Sequence, residues 1–210
     1  MAIVLTVIVL SMTIHEAMHA FIGYFLGDVT AKSEGRLTIN PLKHIDPFMT
    51  ILLPITMLII GGPIFGGARP VPFNPQRVRH GDWGVVLVAL AGPITNLLLA
   101  FLAFGVGVMS GIIMEHGAIE ASLLGDIVST TVFVNLGFFV FNMLPIPPLD
   151  GSRLLYALAP EFVQKAMVQV ERYGVTGVFI LVVVFSGVVS QVMTTCMRAI
   201  LDVFIMIFRV

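Results

Sequence analysis

Residues 1–26 read MAIVLTVIVLSMTIHEAMHAFIGYFL, an apolar run interrupted by the ionisable cluster His15, Glu16 and His19. About 20 mostly apolar residues in a helix cross a hydrocarbon core, so this stretch predicts a transmembrane helix from Met1 to about Leu26. It has neither the basic leading region nor the small-residue cleavage site of a signal peptide, and is expected to stay in the mature chain. The composition agrees with a lipid solvent. Of 210 residues, 58% are hydrophobic and 11% charged, where a soluble domain has about 25% charged residues. Mean hydropathy is +1.03. A net charge of -1 leaves no basic stripe for phosphates, which excludes a nucleic-acid partner. The single cysteine, Cys196, excludes an internal disulfide framework and a cysteine-rich metal site.

Outward from the first helix, a polar stretch runs from Gly27 to Pro47. Its Ser-Glu-Gly and Asn-Pro pairs predict turns, and the alternation Arg36-Leu-Thr-Ile-Asn40 predicts a short strand of a β-hairpin. The apolar run from Phe48 to Ile60 is interrupted by Pro54 and closed by Gly61-Gly62-Pro63, which predicts a re-entrant or kinked segment over about 48–66. Further spans are expected over Gly84–Met114, about Ile127–Leu144 and Gly174 to about Met193. Between the last two lies an amphipathic stretch, Ser152–Tyr173. Ala199–Val210 is short and is expected to lie at the interface or span in part. The overall expectation is an all-α polytopic membrane protein: one domain over 1–210, about five to six transmembrane helices, a hairpin and a re-entrant segment after the first helix. Arg69, Arg77 and Arg79 in one loop and Arg153, Lys165 and Arg172 in another place both loops inside, and the acidic link 115–126 outside.

His15-Glu16-Ala17-Met18-His19 carries the chemistry. Positions i and i+4 share a helical face, so both imidazoles can meet one ion, with Glu16 beside them to act on water. This is the helix-borne zinc signature HExxH, and ionisable side chains within a span are costly enough to mark a functional site. The plain alternative is that they bond to one another or to hydroxyls on neighbouring helices. A catalytic zinc takes three protein ligands and keeps one position open. Asp150 is the candidate third ligand. It follows the proline-broken helix end Pro145-Ile-Pro147-Pro148-Leu and precedes Gly151, so the chain can bend back into the bundle. Asp150 can equally cap the helix starting near Ser152, and spacing leaves the two open. At about 1.5 Å per residue His19 lies roughly 12 Å below the helix end near Gly27, on the side where the topology puts Asp150.

HEAMHA together with FNMLPIPPLDGSRLL resembles the site-2 protease family of intramembrane zinc metalloproteases, and most of all its short bacterial and archaeal members without PDZ or CBS domains. Asn142, Pro145, Pro148, Asp150 and Gly151 match the family's second motif in register. Ala91-Gly92-Pro93-Ile94-Thr95-Asn96 looks like its AGP-x-x-N segment. The resemblance implies that His15, His19 and Asp150 bind zinc, with Glu16 as general base and Asn96 and Asn142 holding substrate backbone or oxyanion. It implies membrane-spanning or membrane-anchored protein substrates and a place in the cell membrane. Interhelical hydrogen bonding is the plain reading of both asparagines. His44 and His80 fall in loops, where a histidine is expected to be solvated, though His44 is also within the region that can reach an ion as an extra ligand. Two other functions compete. A metal-ion transporter would spread its polar groups over several helices, and an inactive scaffold would not need Glu16.

Overall fold

The computed structural model describes residues 1–46, 52, 55, 56, 59, 69–114 and 117–210, apart from the side chain of Val175. Its helices are α1 (Ala2–Phe25), the single turn α2 (Thr30–Ser33), α3 (Gly81–Met109), α4 (Leu123–Asn142), α5 (Gly151–Leu158), α6 (Glu161–Glu171), α7 (Gly174–Val184) and α8 (Ser186–Phe208). With no water in the hydrocarbon to bond a free amide, helices are the way an open chain crosses it. Four described helices, α1, α3, α4 and α8, are long and apolar enough to cross a membrane. A fifth span results if α6 and residues 176–184, whose axes bend by 96°, count as one. The protein is thus a multi-pass membrane protein with four or five such spans among its described residues.

The central pair is α1 against α3. His19 faces Val88 and His15 faces Asn96, so the two helices run antiparallel, four residues on one matching eight on the other. α4 closes the third side. Ile8 and Met12 of α1 pack with Val134 and Phe138 of α4. A second core of Ala100, Phe104, Ile113, Val132, Leu136 and Phe204 ties α3 and α4 to α8. The outer faces carry large apolar side chains such as Leu87, Leu98, Leu102 and Val106 of α3 in the open, as a lipid-facing surface requires.

At the end of α1 the buried Asp28 gathers the loops. One carboxylate oxygen accepts from the Thr30 amide and hydroxyl, the other from the Asn74 amide at 2.6 Å. The Arg79 amide donates to the Leu26 carbonyl at 2.9 Å. Burial works to raise the Asp28 pKa. The Thr30 hydroxyl, the Asn74 and Thr30 amides and the nearby Arg77 charge outweigh it, and the carboxyl titrates below its ordinary value.

Two expectations change. The predicted β-hairpin is absent: among the described residues there is no strand, and the one isolated bridge pairs Ile113 with Ile119. The Arg36–Asn40 backbone is engaged by side chains instead. His44 Nε2 bonds the Thr38 carbonyl at 2.8 Å and the Asn40 amide donates to Thr38 Oγ1 at 3.1 Å, while Asn40 Oδ1 accepts from the Leu42 amide to start the 3-10 turn Pro41–Lys43. Such local bonds compete with ladder formation. Near the carboxyl terminus, the expected break after Met193 does not occur. α8 runs unbroken over 23 residues, and the interruption falls at Phe185, between α7 and α8. Polar residues such as Thr194, Thr195 and Arg198 lie within α8 without stopping it, since a polar residue on one side of a helix does not end it. The expected re-entrant segment, about 48–66, lies almost wholly outside the described residues.

Candidate metal centre

The antiparallel register of α1 and α3 builds the site. Val88, Gly92 and Asn96 recur at four-residue steps on α3 and so line one face, opposite His19 and His15, which are also four apart. His15 Nδ1 lies 2.6 Å from Asn96 Oδ1, and His19 Nδ1 2.7 Å from the Val88 carbonyl. Between these two anchors sits Gly92. A Cβ built there would stand 2.4 Å from His19 Nε2 and 2.6 Å from His15 Nε2, so only glycine leaves the two ring nitrogens their space. Pro93 follows. It has no N–H to give the Ala89 carbonyl and its ring crowds that oxygen, which interrupts the helical ladder next to the Val88 carbonyl that takes His19.

The third arm comes from the turn after α4. Pro145, Pro147 and Pro148 forbid continued helix, and the Pro147–Pro148 peptide is cis. The chain folds back so tightly that a Cβ at Gly151 would meet the Met143 carbonyl oxygen at 2.3 Å. This return delivers Asp150, whose Oδ2 lies 3.3 Å from His15 Nε2 and 3.4 Å from His19 Nε2. Asp150 occupies the first position before α5, yet its side chain makes no capping bond there. Sequence spacing left cap and ligand open; the carboxylate points at the imidazoles.

The donor set is that of a cation site. Each Nδ1 faces an oxygen acceptor, so each Nδ1 carries the proton and each Nε2 is left with its lone pair. The two Nε2 atoms are 3.0 Å apart, too close for both to be protonated. At most one proton could therefore relieve a cluster of two nitrogens and one carboxylate oxygen. A divalent cation relieves it fully. Zinc bonds of about 2.0–2.1 Å set tetrahedral edges of about 3.3–3.4 Å, and the two edges to Asp150 are 3.3 and 3.4 Å. The His–His edge, at 3.0 Å, is a few tenths shorter. Two nitrogens and one oxygen with a fourth position free match a catalytic rather than a structural zinc. His15 is buried, whereas the Asp150 side chain is 22% exposed, so water has an approach from the side of the turn.

Glu16 stands next to this cluster without joining it. Its Oε2 accepts from the Val71 amide at 2.8 Å. Val71 belongs to a non-helical segment tied down along its length: the Arg69 amide donates to the His44 carbonyl at 2.9 Å, Arg36 Nη2 donates to the Arg69 carbonyl at 2.6 Å, and Asn74 is held by Asp28. No local sequence signal places Val71 against Glu16, because the contact joins residues 55 positions apart.

Of the remaining candidates, Asn96 is wholly buried with both polar atoms engaged, Oδ1 by His15 and Nδ2 by Asn135 Oδ1 at 2.8 Å. Asn142 donates Nδ2 to the Phe138 carbonyl, one turn back in its own helix, at 3.0 Å. His44, expected to be solvated, is buried, with its ring held by the Thr38 carbonyl; it is not among the clustered ligands. His80 is exposed. Sequence reasoning named Gly92 only within a motif, without a role, and missed the Val88 carbonyl and Asn135. An asparagine in the middle of an apolar span was a legible signal for the last.

A buried helix-borne pair of imidazoles, a returning carboxylate and an adjacent glutamate define the class of metal-dependent hydrolases that work inside a helix bundle. Comparison with known proteins bears on the same class. The model of peptidase family M50 matches residues 108–185, the part that delivers Asp150. YwhC of Bacillus subtilis, which carries a zinc-metalloprotease name, is 46% identical over 173 residues, covering 82% of this chain and 75% of that protein. Rip2 of Mycolicibacterium smegmatis, named in the same way, is 32% identical over 177 residues, covering 83% of this chain and 62% of its own length. Rip2 of Mycobacterium tuberculosis strain H37Rv is also 32% identical, over 178 residues. No solved structure gives a significant match. The chain belongs to peptidase family M50, the site-2 protease family.

Proposed function

We propose that this chain is a zinc metalloprotease of the cell membrane that hydrolyses peptide bonds in membrane-spanning or membrane-anchored proteins. The observation that carries the reading is the convergence of His15 Nε2, His19 Nε2 and Asp150 Oδ2 within 3.4 Å of one another. These three side chains would hold the ion. Zinc there supplies a Lewis acid and lowers the pKa of water toward about 7.

Glu16 is the proton acceptor. It is the carboxylate beside the cluster that is not part of it, and the Val71 amide fixes its direction without taking its charge. Water reaches the site past the half-exposed turn that carries Asp150. A peptide bond must arrive extended, since helical peptide groups are shielded by their own hydrogen bonds. Asn96 serves His15 in this reading and not the substrate backbone. A transporter is disfavoured because the ligating groups collapse onto one point instead of marking a path.

The test is cleavage of membrane-anchored substrates in detergent or liposomes, with zinc content measured on the same samples. Glu16→Gln should lose roughly 10²–10⁴-fold in rate, the usual contribution of a general base, and keep its zinc. His15→Ala should lose the zinc while Asp82→Ala, at the exposed start of α3, retains it. Equal cleavage by parent and Glu16→Gln would remove the base from the mechanism.

A further inference from the structure

His15 and His19 are anchored in two different ways. His19 Nδ1 faces a main-chain carbonyl, Val88, which can only accept. His15 Nδ1 faces the side-chain amide of Asn96. An amide turned by 180° would present its NH2 instead of its oxygen. The ring would then have to leave Nδ1 bare and place its proton on Nε2, the atom that points at Asp150 and His19. The neutral Nε2–H form cannot ligate a metal through that nitrogen. Something must therefore keep Asn96 the right way round.

The hydrogen bonds beyond Asn96 supply it. Asn96 Nδ2 donates to Asn135 Oδ1 at 2.8 Å, and Asn135 Nδ2 donates to both the Thr131 carbonyl and Ser11 Oγ at 2.9 Å. The Thr131 oxygen is a backbone acceptor and cannot reverse its role. It fixes the NH2 end of Asn135, which fixes the oxygen end of Asn135 toward Asn96, which fixes the oxygen of Asn96 toward His15. Both asparagines are fully buried, so no water competes for either amide. Reversing the pair would set an Asn135 oxygen against the Thr131 carbonyl, an unpaired clash of acceptors in a dry interior.

We propose that Asn135, on α4, is a positioning residue for the metal centre: it sets the polarity of the Asn96 amide and through it keeps the His15 Nε2 lone pair available to the ion. The proposal rests on the zinc reading above. It adds that α4 helps to prepare a ligand carried by α1, two hydrogen bonds away and with no contact to the ion. Outer partners of ligating histidines are worth about 10–100-fold in metal affinity.

The experiment uses purified full-length protein in detergent, zinc affinity by competition with a chromophoric chelator, and 15N spectra of imidazole-labelled, metal-free protein. Asn135→Leu keeps the volume and removes the relay; it should weaken zinc binding about tenfold or more and show His15 in mixed tautomers. Asn135→Asp, as the neutral acid, donates its O–H to the Thr131 carbonyl in place of the amide and still offers Asn96 an acceptor oxygen, and should hold zinc within about threefold of the parent with Nδ1 protonated. A residue that merely fills an interhelical space predicts the opposite order, because the buried acid costs more than leucine. Asn135→Leu with parental affinity, or Asn135→Asp falling as far as Asn135→Leu, would overturn the proposal. The metal-free parent tests the premise by itself: a His15 protonated on Nε2 overturns it even if the leucine variant cannot be purified. Failure of the parent to bind zinc would instead overturn the zinc reading, and the tautomer spectra would still judge Asn135.

Discussion

Gly92→Ala separates a helix effect from a site effect because the two have opposite signs. Gly92 is interior to α3, where alanine is the better helix former by about 1 kcal/mol. If Gly92 were ordinary helix, the substitution would leave the protein as stable or more so, with unchanged chemistry. Its Cβ, however, would stand 2.4 Å from His19 Nε2 and 2.6 Å from both Nε2 and Cε1 of His15, where ordinary contact begins at 3.4 Å. One or both rings must retreat by about 0.8–1.0 Å, and each is already held from behind, His19 by the Val88 carbonyl and His15 by Asn96. Metal–ligand distances tolerate only about 0.2 Å, and a displacement of about 1 Å costs on the order of 100-fold in a catalytic arrangement, or about 2.8 kcal/mol at about 1.4 per tenfold. The expected result is zinc affinity reduced at least tenfold and cleavage of a membrane-anchored substrate reduced about 100-fold, with the thermal unfolding temperature of the metal-free protein not raised, because overpacking of about 1–3 kcal/mol offsets the gain in helix propensity. Zinc affinity and rate within about threefold of the parent would refute the packing argument.

Two further outcomes follow from the same geometry. Gly151→Ala forces its Cβ against the Met143 carbonyl, at 2.3 Å and with only backbone to move; stability should fall by about 1–3 kcal/mol and zinc affinity with it, and unchanged values of both in a chelator competition and a thermal melt would contradict the tight return of the chain. Asp28, held below its ordinary 3.8, contributes stability that is complete above the unfolded-state value and lost as pH falls through the lower folded-state one. The acid limb of a stability profile in detergent should therefore lie below about pH 4. In Asp28→Asn that limb should flatten, and a limb of equal depth in parent and variant would discount the Asp28 junction.

The sequence by itself determined the solvent, most of the spans and the residue types of the candidate metal cluster. Composition and apolar run length are local quantities, and a hydrocarbon slab of fixed thickness converts them directly into helices. HExxH is equally local, since four residues on a helix bring two side chains to one face whatever the helix packs against. The predicted hairpin was lost to local competition: the alternation over Arg36–Asn40 was genuine, but the His44 ring took the Thr38 carbonyl and the Thr38 hydroxyl took the Asn40 amide. The span predicted from Gly174 to about Met193 ended in the wrong place, the break falling at Phe185, because polar side chains in α8 mark a face and not a terminus.

Only tertiary structure decided what surrounds the candidate ligands. Whether Asp150 caps α5 or faces the imidazoles depends on how a proline-broken turn lies against α1, and no spacing within one segment encodes that. The antiparallel register that sets Gly92 between His15 and His19, the Val71 amide on Glu16, and the path from Asn135 through Asn96 to His15 all join residues more than 30 positions apart. Such contacts come from interlocking of side chains between helices, a property of the packed bundle as a whole, so the residue types were visible in the chain while their mutual orientation was not.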